Sequence, residues 1–195
     1  MKYFILFGPP GAGKGTQATA IAERYNYRHI STGDLLRSEI AAGTELGLKA
    51  KSLIAAGSLV PDEVVEGMIE DKFNTIKDVD GFLLDGFPRT LPQAEALDAM
   101  LAKRGEAVNA VVSLMISDDV IKARIAHRAA IEGRADDAKE ETINNRIKTY
   151  HNQTEPLIEY YKKAGKYNEI NGYGGDGLEG IEVVRARVFE TMDKL

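Results

Sequence analysis

Nine residues near the start of the chain, Gly8 to Thr16, have the types and spacing needed to hold a phosphate group. Their four glycines let backbone N–H groups approach an anion closely, and Lys14 adds a mobile positive charge. The spacing is that of a loop that wraps nucleotide phosphates, except that Gly15 stands directly after the lysine and the hydroxyl residue, Thr16, follows it. The sequence therefore predicts a nucleotide site, and the alternative is an ordinary glycine-rich turn.

A carboxylate is expected close to this loop. Asp85 directly follows the apolar run Phe82 to Leu84, which has the character of a buried strand. Ligands of open α/β sheets bind beyond the carboxyl ends of the strands. Because Mg²⁺ commonly combines one or two carboxylates with water and substrate phosphates, we expect Asp85 to hold Mg²⁺ through water. The alternative is a helix-capping aspartate.

Arginines supply the remaining candidate chemistry. Six of the eleven lie at predicted turns or helix ends: Arg37, Arg89, Arg124, Arg128, Arg134 and Arg146. Planar guanidinium groups that reach from several elements can hold two nucleotides and the phosphoryl group that moves between them. Taken singly, each arginine could equally be a solvated surface charge. The three histidines, His29, His127 and His151, have no metal-ligand spacing, so the sequence assigns them no chemistry.

Composition limits the possible partners. At 195 residues, 44% of them hydrophobic, the chain can bury one substantial core, so we expect a single domain. The formal charge of -5 argues against sequence-independent binding of nucleic acid. The chain has no cysteine, which excludes a cysteine-ligated zinc site, and no run approaches the about 20 apolar residues of a membrane span. We expect a cytoplasmic protein without membrane contact, and a monomer because no apolar interface stripe is visible.

The elements that must position these residues follow an α/β pattern. Short apolar runs at Tyr3–Phe7, Phe82–Leu84 and Val111–Ile116 are separated by helical patterns, which is typical of buried parallel strands with crossover helices. The phosphate loop lies between the first run and a helix. Two further helices, Asp34 to Ala42 and Glu45 to Ala56, are predicted to form a small helical excursion.

The second half of the chain is less regular. From Ala129 to Lys139 no apolar period is sustained, so an exposed loop is predicted. A long helix around Ile143 to Tyr161 follows, and the glycine-rich segment Gly172 to Gly180 precedes a final helix.

Three motifs together make the pattern specific. The loop reads GPPGAGKGT, residues Ser31 to Arg37 read STGDLLR, and Asp85 to Thr90 read DGFPRT, with Gln93 after them. With the later arginines, this order of motifs resembles the adenylate kinases over nearly the whole chain. The resemblance implies transfer of the terminal phosphoryl group of Mg-ATP to AMP, giving two ADP, with Mg²⁺ and without zinc.

The resemblance also implies a role for individual residues. On the ATP side it places Gly11, Ala12, Gly13, Lys14, Gly15, Thr16, Arg124 and Arg128. On the AMP side it places Thr32, Arg37, Ser58, Leu59, Val60, Gly86, Phe87, Pro88, Arg89, Gln93, Arg134 and Arg146. Of these, the ones implied in catalysis are Lys14, Arg89, Arg128, Arg134 and Arg146.

The implied architecture is a parallel sheet of the P-loop NTPase type flanked by helices, in one domain. Its core would comprise residues 1–30, 61–128 and 138–195, with an AMP-binding helical subdomain at about 31–60 and a short lid at about 129–137. The short interval between Arg128 and Arg134 resembles the short-lid branch of the family. One extra residue before Arg146 and the long segment Gly172 to Gly180 depart from the family pattern, and the latter affects the donor-adenine contact.

The residues leave three rival functions open. The pyrimidine monophosphate kinases resemble this chain but typically carry Ala and Asn where it has Thr32 and Gln93. A glutamine amide donates and accepts, which suits an adenine edge, so AMP is the favoured acceptor. The second rival is a P-loop ATPase or nucleotide-dependent switch, with water as the acceptor, and the third is a nucleotide-binding module without catalysis.

Overall fold

A computed structural model describes residues 1–55, 60–132 and 140–195. Its five strands are β1 (Lys2–Phe7), β2 (Tyr27–Ser31), β3 (Gly81–Asp85), β4 (Ala110–Met115) and β5 (Tyr167–Asn171). The helices of the described residues are α1 (Lys14–Tyr25), α2 (Thr32–Ala42), α3 (Glu45–Ala55), α4 (Asp62–Thr75), α5 (Leu91–Ala102), α6 (Asp118–Glu132), α7 (Glu140–Lys163) and α8 (Gly177–Met192).

The strands form one parallel sheet in the order β2-β3-β1-β4-β5, which confirms the predicted α/β class. The three apolar runs of the sequence coincide with β1, β3 and β4, the three inner strands. Because β1 is central, the phosphate loop that follows it opens beside the ends of β3 and β4. This is the edge of an open α/β sheet where ligands bind.

Each face of the sheet carries its own apolar core, and β1 contributes to both. Tyr3, Ile5 and Phe7 pack with the buried side chains of α4, α5 and α7 on one face. Phe4 and Leu6 pack with those of α1 and α8 on the other. The alternation follows from the period of two in a strand, and it fixes β1 rigidly between two helical layers.

Some element boundaries differ from those expected. Helix α2 begins at Thr32, two residues before its predicted start, and α6 continues to Glu132. The stretch 129–132, which the sequence predicts as loop, is therefore the last turn of α6; the rest of that predicted loop, 133–139, lies outside the described residues. Among the helices of the described ranges, none is long and apolar enough to cross a membrane.

Candidate active site

The loop between β1 and α1 has the geometry of an anion site. Gly13, directly before α1, has φ 83° and ψ 23°, a left-handed conformation that favours glycine. No side chain caps the start of α1, where Gln17 N donates to Gly13 O. The first backbone N–H groups of a helix carry partial positive charge, so this uncapped start is suited to phosphate oxygens.

Lys14, Asp85 and His29 form a charged chain beside the loop. Lys14 Nζ lies 3.7 Å from Asp85 Oδ1, and His29 Nε2 donates to Asp85 Oδ2 over 3.2 Å. Burial lowers the pKa of Lys14, against the opposing effect of Asp85. Burial alone would raise the pKa of Asp85, but the His29 hydrogen bond and the Lys14 charge bring it below its usual value. Asp85 is therefore ionised at neutral pH.

A cavity of about 1010 Å³ opens over this loop, and many of the predicted site residues line it. From the predicted ATP side these are Gly11, Ala12, Gly13, Lys14, Gly15, Thr16, Arg124 and Arg128. From the predicted AMP side they are Arg37, Gly86, Pro88, Arg89 and Arg146, and Asp85 lines the cavity as well. One cavity therefore joins residues that are distributed over β1, α1, α2, β3, α6 and α7.

Polar side chains on the AMP side are bonded to protein groups. Arg89 Nε donates to Gly86 O over 2.7 Å, and Arg37 pairs with Asp34 one turn earlier in α2. Thr32 Oγ1 lies 3.4 Å from Asp85 O, and its hydroxyl donates to that carbonyl. The peptide bond between Phe87 and Pro88, which precedes Arg89, is cis.

Other predicted residues lie elsewhere. Within the described part of the chain, Thr32, Val60, Phe87 and Gln93 are not among the residues that line this cavity. Gln93 lies directly behind Arg89, because its Oε1 accepts a hydrogen bond from Arg89 N over 2.7 Å. Ser58, Leu59 and Arg134 fall outside the described residues.

A second cavity, of about 970 Å³, adjoins the other side of the loop. It shares Gly11, Gly13 and Arg124 with the first cavity and extends to Tyr173 and the glycine-rich segment before α8. Arg124 Nη1 donates to Gly11 O over 3.1 Å, and its guanidinium carbon lies 5.8 Å from the centroid of the Tyr173 ring. The two cavities thus meet at Arg124.

Sequence reasoning missed part of the site. One face of α7 lines the first cavity with Thr142, Asn145, Thr149, Tyr150, Gln153 and Thr154. His29, to which the sequence assigns no chemistry, contacts Asp85 because β2 pairs with β3 and places Ser31 beside Asp85. Thr142 stands in the run Glu140 to Thr142, which is part of the family resemblance, but no motif marks the other residues. The strand order would have been needed to find His29.

A model of the family described as adenylate kinase matches residues 6–166. The chain belongs to the adenylate kinase family. It is 48% identical to the adenylate kinase of Bacteroides thetaiotaomicron over 195 residues, with 100% of both chains covered. It is 47% identical to that of Phocaeicola vulgatus over 195 residues, again covering 100% of both chains. With the adenylate kinase of Stenotrophomonas maltophilia it shares 46% identity over 188 residues, which is 96% of this chain and 97% of the relative.

Membership in the adenylate kinase family confirms the resemblance seen in the sequence motifs. It also confirms the predicted class of enzyme, a nucleoside monophosphate kinase. The parallel sheet with helices on both faces is consistent with the fold of adenylate kinases.

Proposed function

We propose that the chain catalyses the reversible transfer of the terminal phosphoryl group of Mg-ATP to AMP, giving two ADP. The observation that carries this proposal is one shared cavity that is lined both by the phosphate loop with Lys14 and by Arg37 and Arg89. A nucleotide-dependent switch needs only the phosphate loop and Lys14. Arg37 and Arg89 provide positive charges for the phosphate of an acceptor, so a kinase is the function that uses the whole cavity.

The two nucleotides are assigned to different ends of this arrangement. The phosphates of ATP lie along the loop from Gly11 to Thr16, with Arg124 and Arg128 beside them. Its adenine extends into the second cavity, where Arg124 and Tyr173 offer a flat, cationic surface. The phosphate of AMP lies against Arg37 and Arg89, whose guanidinium groups suit planar recognition of phosphate oxygens.

Asp85 fits a magnesium ion that arrives with ATP. It supplies one partly buried carboxylate at the end of β3, and Thr16 adds a hydroxyl in the same cavity. Mg²⁺ that is held mainly by phosphate oxygens and water needs no more protein ligands than these. When bound, the ion neutralises charge that develops on the β- and γ-phosphate oxygens.

Positioning and electrostatics carry the proposed mechanism, and no covalent intermediate with the protein is required. Lys14 follows the charge as the phosphoryl group moves, since its flexible stem keeps the ammonium group near the loop. Arg89, Arg128, Arg134 and Arg146 stabilise the equatorial oxygens. Water must be excluded to prevent hydrolysis, so the proposal includes closure of the segments 31–60 and 129–139 over the substrates.

The same proposal includes a cytoplasmic monomer without zinc and without a nucleic-acid or membrane partner. The absence of cysteine in the sequence is compatible with a reducing compartment and excludes a cysteine-ligated zinc site. The formal charge of -5 supports the lack of nucleic-acid binding.

The test is an acceptor panel. ADP formation from Mg-ATP is measured with AMP, UMP, CMP, GMP or no acceptor, while free phosphate is followed in parallel and one series contains excess EDTA. We expect ADP with AMP alone, two ADP per ATP consumed, and loss of the reaction with EDTA. ADP formation with UMP or CMP would assign the chain to the pyrimidine kinases, and phosphate release without an acceptor would make it an ATPase.

A further inference from the structure

The side chain of Gln93 is held in one orientation by partners of opposite polarity. Its Oε1 accepts a hydrogen bond from Arg89 N, and its Nε2 donates to Asp62 Oδ1, each over 2.7 Å. The backbone of Gln93 is fixed as well, because its N–H donates to Thr90 Oγ1 over 3.3 Å at the start of α5. With only 8% of the residue exposed, Gln93 has little freedom to rearrange.

The identity of these partners decides which end of the amide is oxygen and which is nitrogen. A backbone N–H can only donate, and an ionised carboxylate can only accept. If the amide flipped, its NH₂ group would face the Arg89 N–H and its oxygen would face the Asp62 carboxylate. Both contacts would then be repulsive, so the two partners select the same orientation.

The two partners do not use all the hydrogen-bonding positions of the amide. An amide oxygen has two acceptor positions and an amide nitrogen has two hydrogens, and the described partners use one of each. One acceptor position on Oε1 and one hydrogen on Nε2 remain, and the orientation of the amide fixes where each of them lies. Adenine presents the complementary pair, the N6 amino group as donor and N1 as acceptor. A 6-oxopurine presents the reverse, O6 as acceptor and N1–H as donor.

We propose that Asp62 sets the preference for a 6-amino over a 6-oxo purine monophosphate by holding the Gln93 amide in one orientation. Asp62 acts through Gln93, so it is a positioning residue rather than a catalytic one. Asp62 is the first residue of α4. Its carboxylate accepts a hydrogen bond from Gln93 on α5, which lies 31 residues later in the sequence. The inference rests on the proposed use of AMP as acceptor, since Gln93 is assigned to the acceptor base.

The first test compares Asp62→Asn with wild type. An asparagine can offer Gln93 either an oxygen or an NH₂ group, so in this variant only the Arg89 N–H still opposes the flipped amide, and the penalty from the carboxylate is gone. AMP and inosine monophosphate are the probes, because they differ only at the N6–N1 edge. We expect the ratio of kcat/KM for inosine monophosphate to that for AMP to rise about tenfold, as for a lost orientation-specific hydrogen bond.

The matched control is Glu63→Gln, which removes the same charge from the same first turn of α4 at an exposed position. It should leave the ratio unchanged, whereas a merely electrostatic effect of the acidic helix start would move it equally. Should Asp62→Asn not fold, Asp62→Ser keeps a residue suited to a helix start and removes the carboxylate. The same rise in ratio is expected for it.

The outcomes separate this inference from the function on which it rests. Wild-type protein that forms no ADP from AMP would overturn the proposed function itself. Wild-type protein that uses AMP, together with an Asp62→Asn variant of unchanged ratio, would overturn the role of Asp62 alone. A uniform loss of kcat/KM for both nucleotides would also overturn it, since a purely structural role affects both alike.

Discussion

The ATP side and the AMP side of the cavity differ in how far backbone groups and side chains form them. On the ATP side much of the shape comes from the backbone: Gly13 is left-handed and the start of α1 has no side-chain cap, and the charged side chains there are Lys14, Arg124 and Arg128. On the AMP side the shape comes from side chains bonded to protein groups. Arg89 is bonded to Gly86 O and Gln93 to Asp62.

This difference indicates how each side responds to a nucleotide. A loop of backbone N–H groups can accept phosphate without breaking an internal side-chain bond. An arginine that is already paired must exchange a protein partner for the ligand, so part of its binding energy is offset. Substitutions on the ATP side should therefore act mainly on the reaction itself, and those on the AMP side mainly on acceptor affinity.

The largest effect is expected for Lys14→Met. Removing this ammonium group should lower kcat by about 10²–10³-fold, the size typical of losing one group that stabilises developing charge. Stability should not fall, because burial lowers the pKa of Lys14. Below that lowered pKa the lysine is charged and its buried charge costs the folded state free energy, so removing it takes away no stabilising charge. We expect a shift in the thermal midpoint of less than about 4 °C.

Steady-state ADP formation and thermal unfolding check the Lys14→Met prediction. Lys163→Met is the control, since Lys163 is exposed at the end of α7 and should be neutral in both measurements. If Lys14→Met lost activity only because the protein unfolded, the loop would be a structural turn, and the contrast between the two sides would disappear.

Helices α2 and α3 are joined more tightly than their exposed location suggests. Thr44 Oγ1 donates to the Glu39 carboxylate over 2.6 Å and accepts from Gly47 N over 3.0 Å. Lys72 Nζ in α4 lies 3.4 Å from Glu39 Oε1. A methyl group at Gly47 would lie 2.0 Å from Glu39 O, a backbone atom, so only glycine permits this approach of the two helices.

We therefore expect Gly47→Ala to separate α2 from α3 and to destabilise the protein by about 1–3 kcal/mol. Because α2 carries Arg37, the KM for AMP should rise while the KM for ATP stays near the wild-type value. Gly67→Ala in α4 is the control: the nearest atom to its added methyl group would be Leu46 Cδ1 at 3.9 Å, and alanine favours a helix. Equal changes in the KM for AMP and the KM for ATP would contradict the prediction that α2 acts on AMP binding alone.

The same contrast explains what the sequence could predict. The phosphate loop is one continuous motif between a strand and a helix, and such local chemistry can be read directly from residue types. The inner strands were predicted because they are apolar, whereas β2 and β5 are edge strands with polar sequences, YRHIS and YNEIN. The Gln93–Asp62 and His29–Asp85 contacts join residues 31 and 56 positions apart, so they depend on packing that no local pattern contains.

The smallest expected effect concerns the pair of Arg37 and Asp34 on α2. Both side chains are more than two thirds exposed, at 73% and 72%, and exposed pairs of this kind contribute little to stability. Asp34 nevertheless competes with a phosphate group for the same guanidinium. Asp34→Asn should therefore lower the KM for AMP by about twofold at low salt, and the difference should fade as salt screens the charges. Glu182→Gln is the matched control, because Glu182 pairs with Arg185 over the same spacing on α8. An unchanged KM for AMP at every salt concentration would mean that the Asp34 pairing does not weaken the binding of AMP by Arg37.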